Sequence, residues 1–209
     1  MKLKNSYWYF TSAIKESLCD DIVSHAKKLK SRMASIDNID ESKLTKEKTI
    51  DLKKTRDSNI VWMNDSWIYE LIIPYIDQAN VNAEWNFDWD FLEDCQFTTY
   101  KKDQHYDWHI DSFDEPYNKP NNLKEHGKIR KLSVTLNLSN PEEYTGGELE
   151  FYLNNGSPNG RESDRQICRE ILPKGSMVVF PSHVWHRVKP ITSGERRSLV
   201  IWNLGYPFK

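Results

Sequence analysis

Residues 130–139, RKLSVTLNLS, carry the pattern on which the fold turns. Leu132, Val134, Leu136 and Leu138 project from one face of an extended strand, and Ser133, Thr135 and Asn137 from the other. The leucine face belongs to a core. The polar face meets water, or lines a wet cavity if the sheet closes into a barrel, where a polar ligand can sit.

Comparable short runs surround this one: CQFTTYKK, GELEFYL, QICREIL, SMVVF, VWHRVKP and RRSLVIWNL, punctuated by Asn140-Pro141, Gly146-Gly147, NNGSPNG and Lys174-Gly175. Many short strands at this spacing indicate an antiparallel barrel or sandwich from about residue 84 onward. Helices come first. Ile14, Leu18, Ile22, Ala26, Leu29 and Met33 recur at helical spacing and predict an amphipathic helix over 14–33. Asp65-Ser66 offers an N-cap for a second helix that Pro74 should kink or end. Between them, SIDNIDESKLTKEKTIDLKKTRDSN (35–59) is highly charged and lacks aromatics, which predicts a solvated excursion beside the substrate side. The chain thus reads as a single domain over 1–209, with helical support in 1–83 and a β core in 84–209.

Composition narrows the function classes. Twenty-nine basic and 31 acidic side chains leave a formal charge of −2, giving no net attraction to nucleic acid or anionic membranes. The N-terminal MKLKNSYWYF lacks a signal-peptide core and no later run approaches a membrane span, so a mature cytoplasmic chain is expected. Cys19, Cys95 and Cys168 are odd in number and far apart, as reduced structural cysteines rather than a disulfide or thiolate-metal framework.

The chemistry concentrates in YDWHIDSFDE (106–115). In an extended segment His109 and Asp111 share a face and can hold one ion, while Ile110 points into packing. A third ligand is available in VVFPSHVWHRVKP, from His186 or its competitor His183. Two imidazoles and one carboxylate suit the facial triad of non-haem Fe(II) oxygenases; zinc with a bound water is the chemical competitor. Ten residues after His186, Arg196 can reach the same cavity if the separation is spanned by a strand or hairpin, and a buried guanidinium needs an anionic partner. Arg197 then faces outward. Tyr100, nine residues before His109, can add a hydrogen bond to the same anion.

Taken together, TTYKKDQHYDWHID, RKLSVTLNLSNPEEYTGGELEFY and GSMVVFPSHVWHRVKPITSGERRSLVIW resemble the Fe(II)- and 2-oxoglutarate-dependent dioxygenases, in the prolyl 4-hydroxylase-like branch with the bacterial PKHD-type hydroxylases. SLCDDIVSHAKKLK resembles that branch's opening helix. The resemblance implies a double-stranded β-helix, a cupin-like jelly roll, with N-terminal helices buttressing one sheet. It implies that His109, Asp111 and His186 bind iron, that Arg196 pairs with the distal carboxylate of 2-oxoglutarate, and that Tyr100 hydrogen-bonds to it. Trp202 and Tyr106 match aromatics beside the pocket, and Thr135 and Asn137 are further cosubstrate candidates. Pairing of VVF with VWHRV across Pro181-Ser182 would then hold His186 at the barrel mouth. Asp103 stands where the family often has glycine.

The implied activity is hydroxylation coupled to oxidative decarboxylation of 2-oxoglutarate, with Fe(II), O2 and ascorbate as reductant. Peptidyl proline is the favoured substrate, with free amino acids and other small molecules as alternatives. An aromatic rim of Trp108, Phe113 and Tyr117 suits a flat apolar ligand, and residues 112–128 form a loop able to close over it. The competing readings are a nucleic-acid repair dioxygenase and a non-catalytic jelly-roll binding module.

Overall fold

The computed structural model describes residues 3–34, 46–154, 157–158 and 161–208. Numbered in chain order, the larger sheet runs β1 (Trp8–Phe10), β12 (Met177–Pro181), β8 (Ile129–Asn137), β15 (Arg196–Gly205), β6 (Cys95–Tyr100), β4 (Asn59–Met63) and β2 (Arg32–Met33), with β5 (Phe91–Leu92) on the far end of β15. The smaller sheet runs β11 (Arg165–Ile167), β10 (Leu149–Tyr152), β13 (His186–Val188), β7 (His105–His109) and β3 (Arg56–Asp57). A two-stranded ribbon joins β14 (Ile191–Gly194) to β9 (Tyr144–Gly146). The two facing sheets form the double-stranded β-helix, and every strand pairing within them is antiparallel.

Alternation divides each strand of the larger sheet between two environments. Leu132, Val134 and Leu136 of β8, Met177 and Val179 of β12, and Leu199 and Ile201 of β15 meet the helices in one core. Val178 and Phe180 face the other way, packing with Phe151, Val188 and Ile191 between the sheets. The helices are α1 (Glu16–Ala26), α2 (Lys46–Thr55) and α3 (Ser66–Asn82). Among the described residues, no helix is long and apolar enough to cross a membrane.

Several expectations are corrected. The first helix stops at Ala26, not near residue 33: Leu29 is 40% exposed, and Arg32 and Met33 pair with Ile60 and Asn59 as a sheet edge. Sheet pairing overrides the helical spacing there. Pro74 does not end α3, which continues to Asn82. A proline inside a helix costs about 3 kcal/mol. Burial of Ile68, Ile72, Ile76 and Ala79 offsets this, at about 1.5–3 kcal/mol per large aliphatic side chain. Pro74 itself lies on the exposed side, where water can serve the carbonyl it leaves free.

Of the charged stretch, 35–45 lies outside the described residues; the remainder forms α2, β3 and the start of β4 rather than a loop. The first 83 residues therefore add four strands to the sheets as well as helices. VVF and VWHRV do not pair with each other. β12 pairs with β1 and β8, while β13 pairs with β10 and β7, so the turn after Pro181 carries the chain from one sheet to the other. QICREIL is a three-residue strand followed by a 3-10 turn at Arg169–Ile171.

Candidate metal centre and its cavity

A cavity of about 930 Å³ opens between the sheets. The larger sheet lines one wall through Arg196, Ser198, Val200 and Trp202, alternate residues of β15, together with Thr135, Gln96, Tyr100, Ile60 and Trp62. The smaller sheet lines the other through Arg56, Tyr106, His109, Leu149, His186 and Val188.

His109, Asp111 and His186 converge there, with one ligand atom from each lying within 4.8 Å of the others. Asp111 Oδ1 is 3.8 Å from His109 Nε2, and its Oδ2 is 3.6 Å from His186 Nε2. His109 and His186 are direct cross-strand partners on β7 and β13. The register slips between this pair and the next, Val188 with Tyr106, leaving one extra residue in β7. That bulge turns both Tyr106 and His109 towards the cavity although they are three apart. Asp111 lies beyond the strand and is fixed by its backbone: its amide and that of Ser112 donate to Ser182 O, at 2.8 and 3.0 Å.

The imidazoles are oriented from behind. His109 Nδ1 donates to Asp107 O at 2.7 Å and His186 Nδ1 to Val184 O at 3.0 Å. Carbonyls only accept, so each Nδ1 carries a proton and each Nε2 is turned to the centre. Tyr106 stacks on His109 at 3.4 Å, and Phe180 meets His186 edge-on at 4.7 Å. Burial, then neighbouring His186, push His109 well below its usual pKa, keeping it neutral. Burial alone would raise Asp111, but His186, His109 and Arg130, with the Ser133 hydroxyl, hold it below its ordinary value. The site thus turns two imidazole Nε2 atoms and a carboxylate towards one point.

The donor set fits a divalent metal on one further observation: Asp111 Oδ2 is fully buried and has no hydrogen-bond partner among the described residues. A buried carboxylate oxygen without a partner is costly, and a cation satisfies it. His183, the competing ligand, is exposed and outside this cluster.

At the inner end of the cavity stands Arg196, 2% exposed, whose polar contact among the described residues is Nη1 to Ser198 Oγ at 3.4 Å. No carboxylate lies within ion-pair range of it in the described residues. It is the cross-strand partner of Tyr100. Burial pushes the Tyr100 phenol up against the pull of Arg56, Arg196 and Ser58, so it stays protonated as a donor. The TGG turn makes room for this end. Gly147 adopts φ +68°, and a Cβ there would meet Ile191 Cδ1 at 2.3 Å and Arg196 Cδ at 3.1 Å. Arg197 faces away, pairing with Glu195 and Glu143.

The remaining candidates divide. Thr135 and Trp202 line the cavity. Asn137 does not, because its amide is spent on Leu172 O at 2.7 Å and Ser139 O at 3.0 Å, bracing a turn. Ile110 lines the cavity instead of packing in the core, since β7 ends one residue earlier. Trp108 leaves the expected rim: the bulge points it towards Tyr152 and under Arg187. Phe113 and Tyr117 do line the mouth.

Sequence reasoning missed Arg56, Arg130 and Glu93. Arg130 donates to Glu93 at 2.6 Å and lies 3.9 Å over Trp202. Tyr117 donates to the other Glu93 oxygen at 2.6 Å, tying residues 112–128 to the cavity wall. Arg130 is the second residue of β8, at the head of the alternating run, and that position was the signal available for it.

Residues 95–203, just over half of the chain, match the pattern of the 2OG-Fe(II) oxygenase superfamily. A PKHD-type hydroxylase of Synechococcus sp. (strain CC9902) is 40% identical over 101 residues, spanning 48% of this chain and 36% of that protein. One from Hyphomonas neptunium is 48% identical over 71 residues, 34% of this chain and 27% of its own length. The match thus spans about a third of such relatives. Among solved structures, the viral collagen prolyl hydroxylase of Paramecium Bursaria Chlorella virus-1 superposes with TM-score 0.66 at 20% identity, covering 97% of both chains. A Pseudomonas putida prolyl-4-hydroxylase gives 0.62 at 18% identity over 96% of this chain and 92% of its own. These two share the fold.

Proposed function

The chain belongs to the 2OG-Fe(II) oxygenase superfamily, and on that premise we propose that it is an Fe(II)- and 2-oxoglutarate-dependent hydroxylase of the prolyl 4-hydroxylase-like kind, acting on a peptidyl proline or related substrate. One observation carries this reading: the His109, Asp111 and His186 cluster shares one cavity with the Arg196 guanidinium, which has no ion-pair partner among the described residues. Two histidines and one carboxylate are a donor set that would hold Fe(II) from one side and leave the other side to cosubstrate and dioxygen. With its cosubstrate bound, Fe(II) supplies oxidative decarboxylation of 2-oxoglutarate to succinate and CO2, coupled to oxygen insertion into a C–H bond.

The protein's own groups do the positioning. His109, Asp111 and His186 hold the metal, and their hydrogen bonds to Asp107, Val184 and Ser182 fix its place. Arg196 receives the distal carboxylate as a charge-assisted pair, with Tyr100 donating to it and Thr135 at the wall. Trp202, Trp62, Phe113 and Tyr117 offer flat apolar surface at the mouth for a proline ring. Arg130, stacked on Trp202 and held by Glu93, presents a donor edge there. The relatives named as prolyl hydroxylases support the substrate class. In this reading the chain works as one domain, in the cytoplasm, where three buried free cysteines are at home.

The test is turnover with Fe(II), 2-oxoglutarate and ascorbate against proline-rich peptides and free amino acids, scored by succinate release and product mass. We expect iron-dependent succinate with a hydroxylated product, abolished in Asp111→Ala and His186→Ala. Full turnover in either variant, or a wild-type protein that binds neither Fe(II) nor 2-oxoglutarate, overturns the reading.

A further inference from the structure

The cavity holds more buried positive charge than one cosubstrate carboxylate requires. Of the arginines lining it, Arg130 is neutralised by Glu93, and Arg32 lies exposed over Trp62 at the mouth. Arg196 and Arg56 are both buried, at 2% and 6% exposure, and among the described residues neither has a carboxylate within ion-pair range. Arg56 donates Nε to Ser58 Oγ at 3.3 Å and lies 4.5 Å over the Tyr106 ring, which itself stacks on His109. Its two Nη atoms make no hydrogen bond to any described residue. Those donors open into the cavity, where an arriving anion can use them.

Topology brings the two arginines around one point. Arg196 pairs with Tyr100, and Asn59 pairs with Thr99 on the other side of β6. The chain crosses from β3 of the smaller sheet to β4 of the larger one at Ser58, beside Tyr100. Arg56, three residues ahead of β4, lines the same cavity as Tyr100 and Arg196, and both guanidiniums act on the ionisation of the phenol. A carboxylate has about four lone-pair directions. Arg196 can fill two, Tyr100 a third, and the open Nη edge of Arg56 the fourth.

We infer that Arg56 is a second anchor for the distal carboxylate of 2-oxoglutarate, closing on it opposite Arg196 with Tyr100 between. This rests on the function proposed above and deepens it. The stack of Arg56 on Tyr106 on His109 offers a rival role, support of the metal ligand from behind. The two roles separate by ligand: an anchor matters only to a ligand that carries the distal carboxylate.

The experiment is calorimetric binding of 2-oxoglutarate and of 2-oxopentanoate, which has a methyl in place of the distal carboxylate, to protein loaded with Mn(II) in place of iron. In Arg56→Gln, 2-oxoglutarate binding should weaken at least about tenfold, as for loss of a charge-assisted hydrogen bond, with 2-oxopentanoate and Mn(II) affinities unchanged. Arg196→Gln, with Arg56 intact, should retain a residual preference for 2-oxoglutarate over 2-oxopentanoate; this arm does not require the Arg56 variant to fold. Unchanged 2-oxoglutarate affinity in Arg56→Gln, equal loss of both ligands, or no residual preference in Arg196→Gln overturns the inference alone. Tighter dependence on Arg56 for an acidic substrate with 2-oxoglutarate unaffected also overturns it. A wild-type protein that binds neither ligand overturns the proposed function as well.

Discussion

Replacing Gly147 tests the construction of the inner cavity most directly. At φ +68° an alanine sits in left-handed backbone, which costs about 1–2 kcal/mol. Its Cβ would stand 2.3 Å from Ile191 Cδ1. Carbon atoms pack no closer than about 3.5 Å, so that methyl must retreat by roughly 1.2 Å. Ile191 is fully buried between the sheets among Tyr100, Tyr144 and Leu149, so the retreat is overpacking, worth about 1–3 kcal/mol. Gly147→Ala should therefore lose about 2–5 kcal/mol, or roughly 4–20 °C in Tm at about 2–4 °C per kcal/mol for a chain of this size. Ile191→Val removes the offending Cδ1 and alone costs about 0.5–1.5 kcal/mol. In the double variant the Cδ1 clash is gone while the backbone cost and the 3.1 Å approach to Arg196 Cδ persist, so the pair should couple favourably by about 1–3 kcal/mol. Thermal and urea unfolding of the four proteins measures this. Strict additivity, or an alanine variant as stable as the wild type, refutes the packing described.

Two further outcomes follow from backbone and burial. Asp103 adopts φ +69° in the turn between β6 and β7, so Asp103→Gly should match or exceed wild-type stability while Asp103→Val loses about 1–2 kcal/mol, read from urea midpoints; a well-tolerated valine would contradict the turn. Burial pushes the Cys19 thiol up to about 11 and Cys95 up to about 12. The unfolded chain therefore releases these protons first as pH rises, near the ordinary value of 9, and stability should fall from about there up to pH 11–12. Native protein at pH 8 should resist iodoacetamide and take up three labels only on unfolding; rapid native labelling would sink this.

The residues that sequence could locate are those with a fixed chemical grammar. Alternation in RKLSVTLNLS assigned its two faces, and the leucine face does meet the helices. His109, Asp111, His186, Tyr100 and Arg196 reach one cavity although they come from both sheets. What stayed illegible depends on register or on tertiary pairing. A one-residue bulge sends Trp108 outward and Tyr106 inward, and no local pattern announces it. Arg56 sits in KKTRD, a run that looks solvated, and becomes buried only because β3 pairs with β7. Asn137 is on the polar face, but Leu172 and Ser139 claim its amide before any ligand can. Periodicity also misplaced the end of α1, because a helical spacing does not reveal that Arg32 and Met33 have a strand edge to join.

The split of the site between two sheets has a consequence for selectivity. In the proposed reading the chelating head of the cosubstrate is held by the smaller sheet, and its far carboxylate chiefly by Arg196 and Tyr100 on the larger one. Facing sheets stand about 10 Å apart, and here Phe151, Phe180, Val188 and Ile191 fill the gap between them. On that reading the protein would work as a length gauge: a diacid one methylene shorter would not span both grips, and a longer one would have to buckle. Chain-length preference then belongs largely to Phe151, Phe180 and Ile191, spacers outside the cavity lining, and thinning them would retune it without altering a single polar contact.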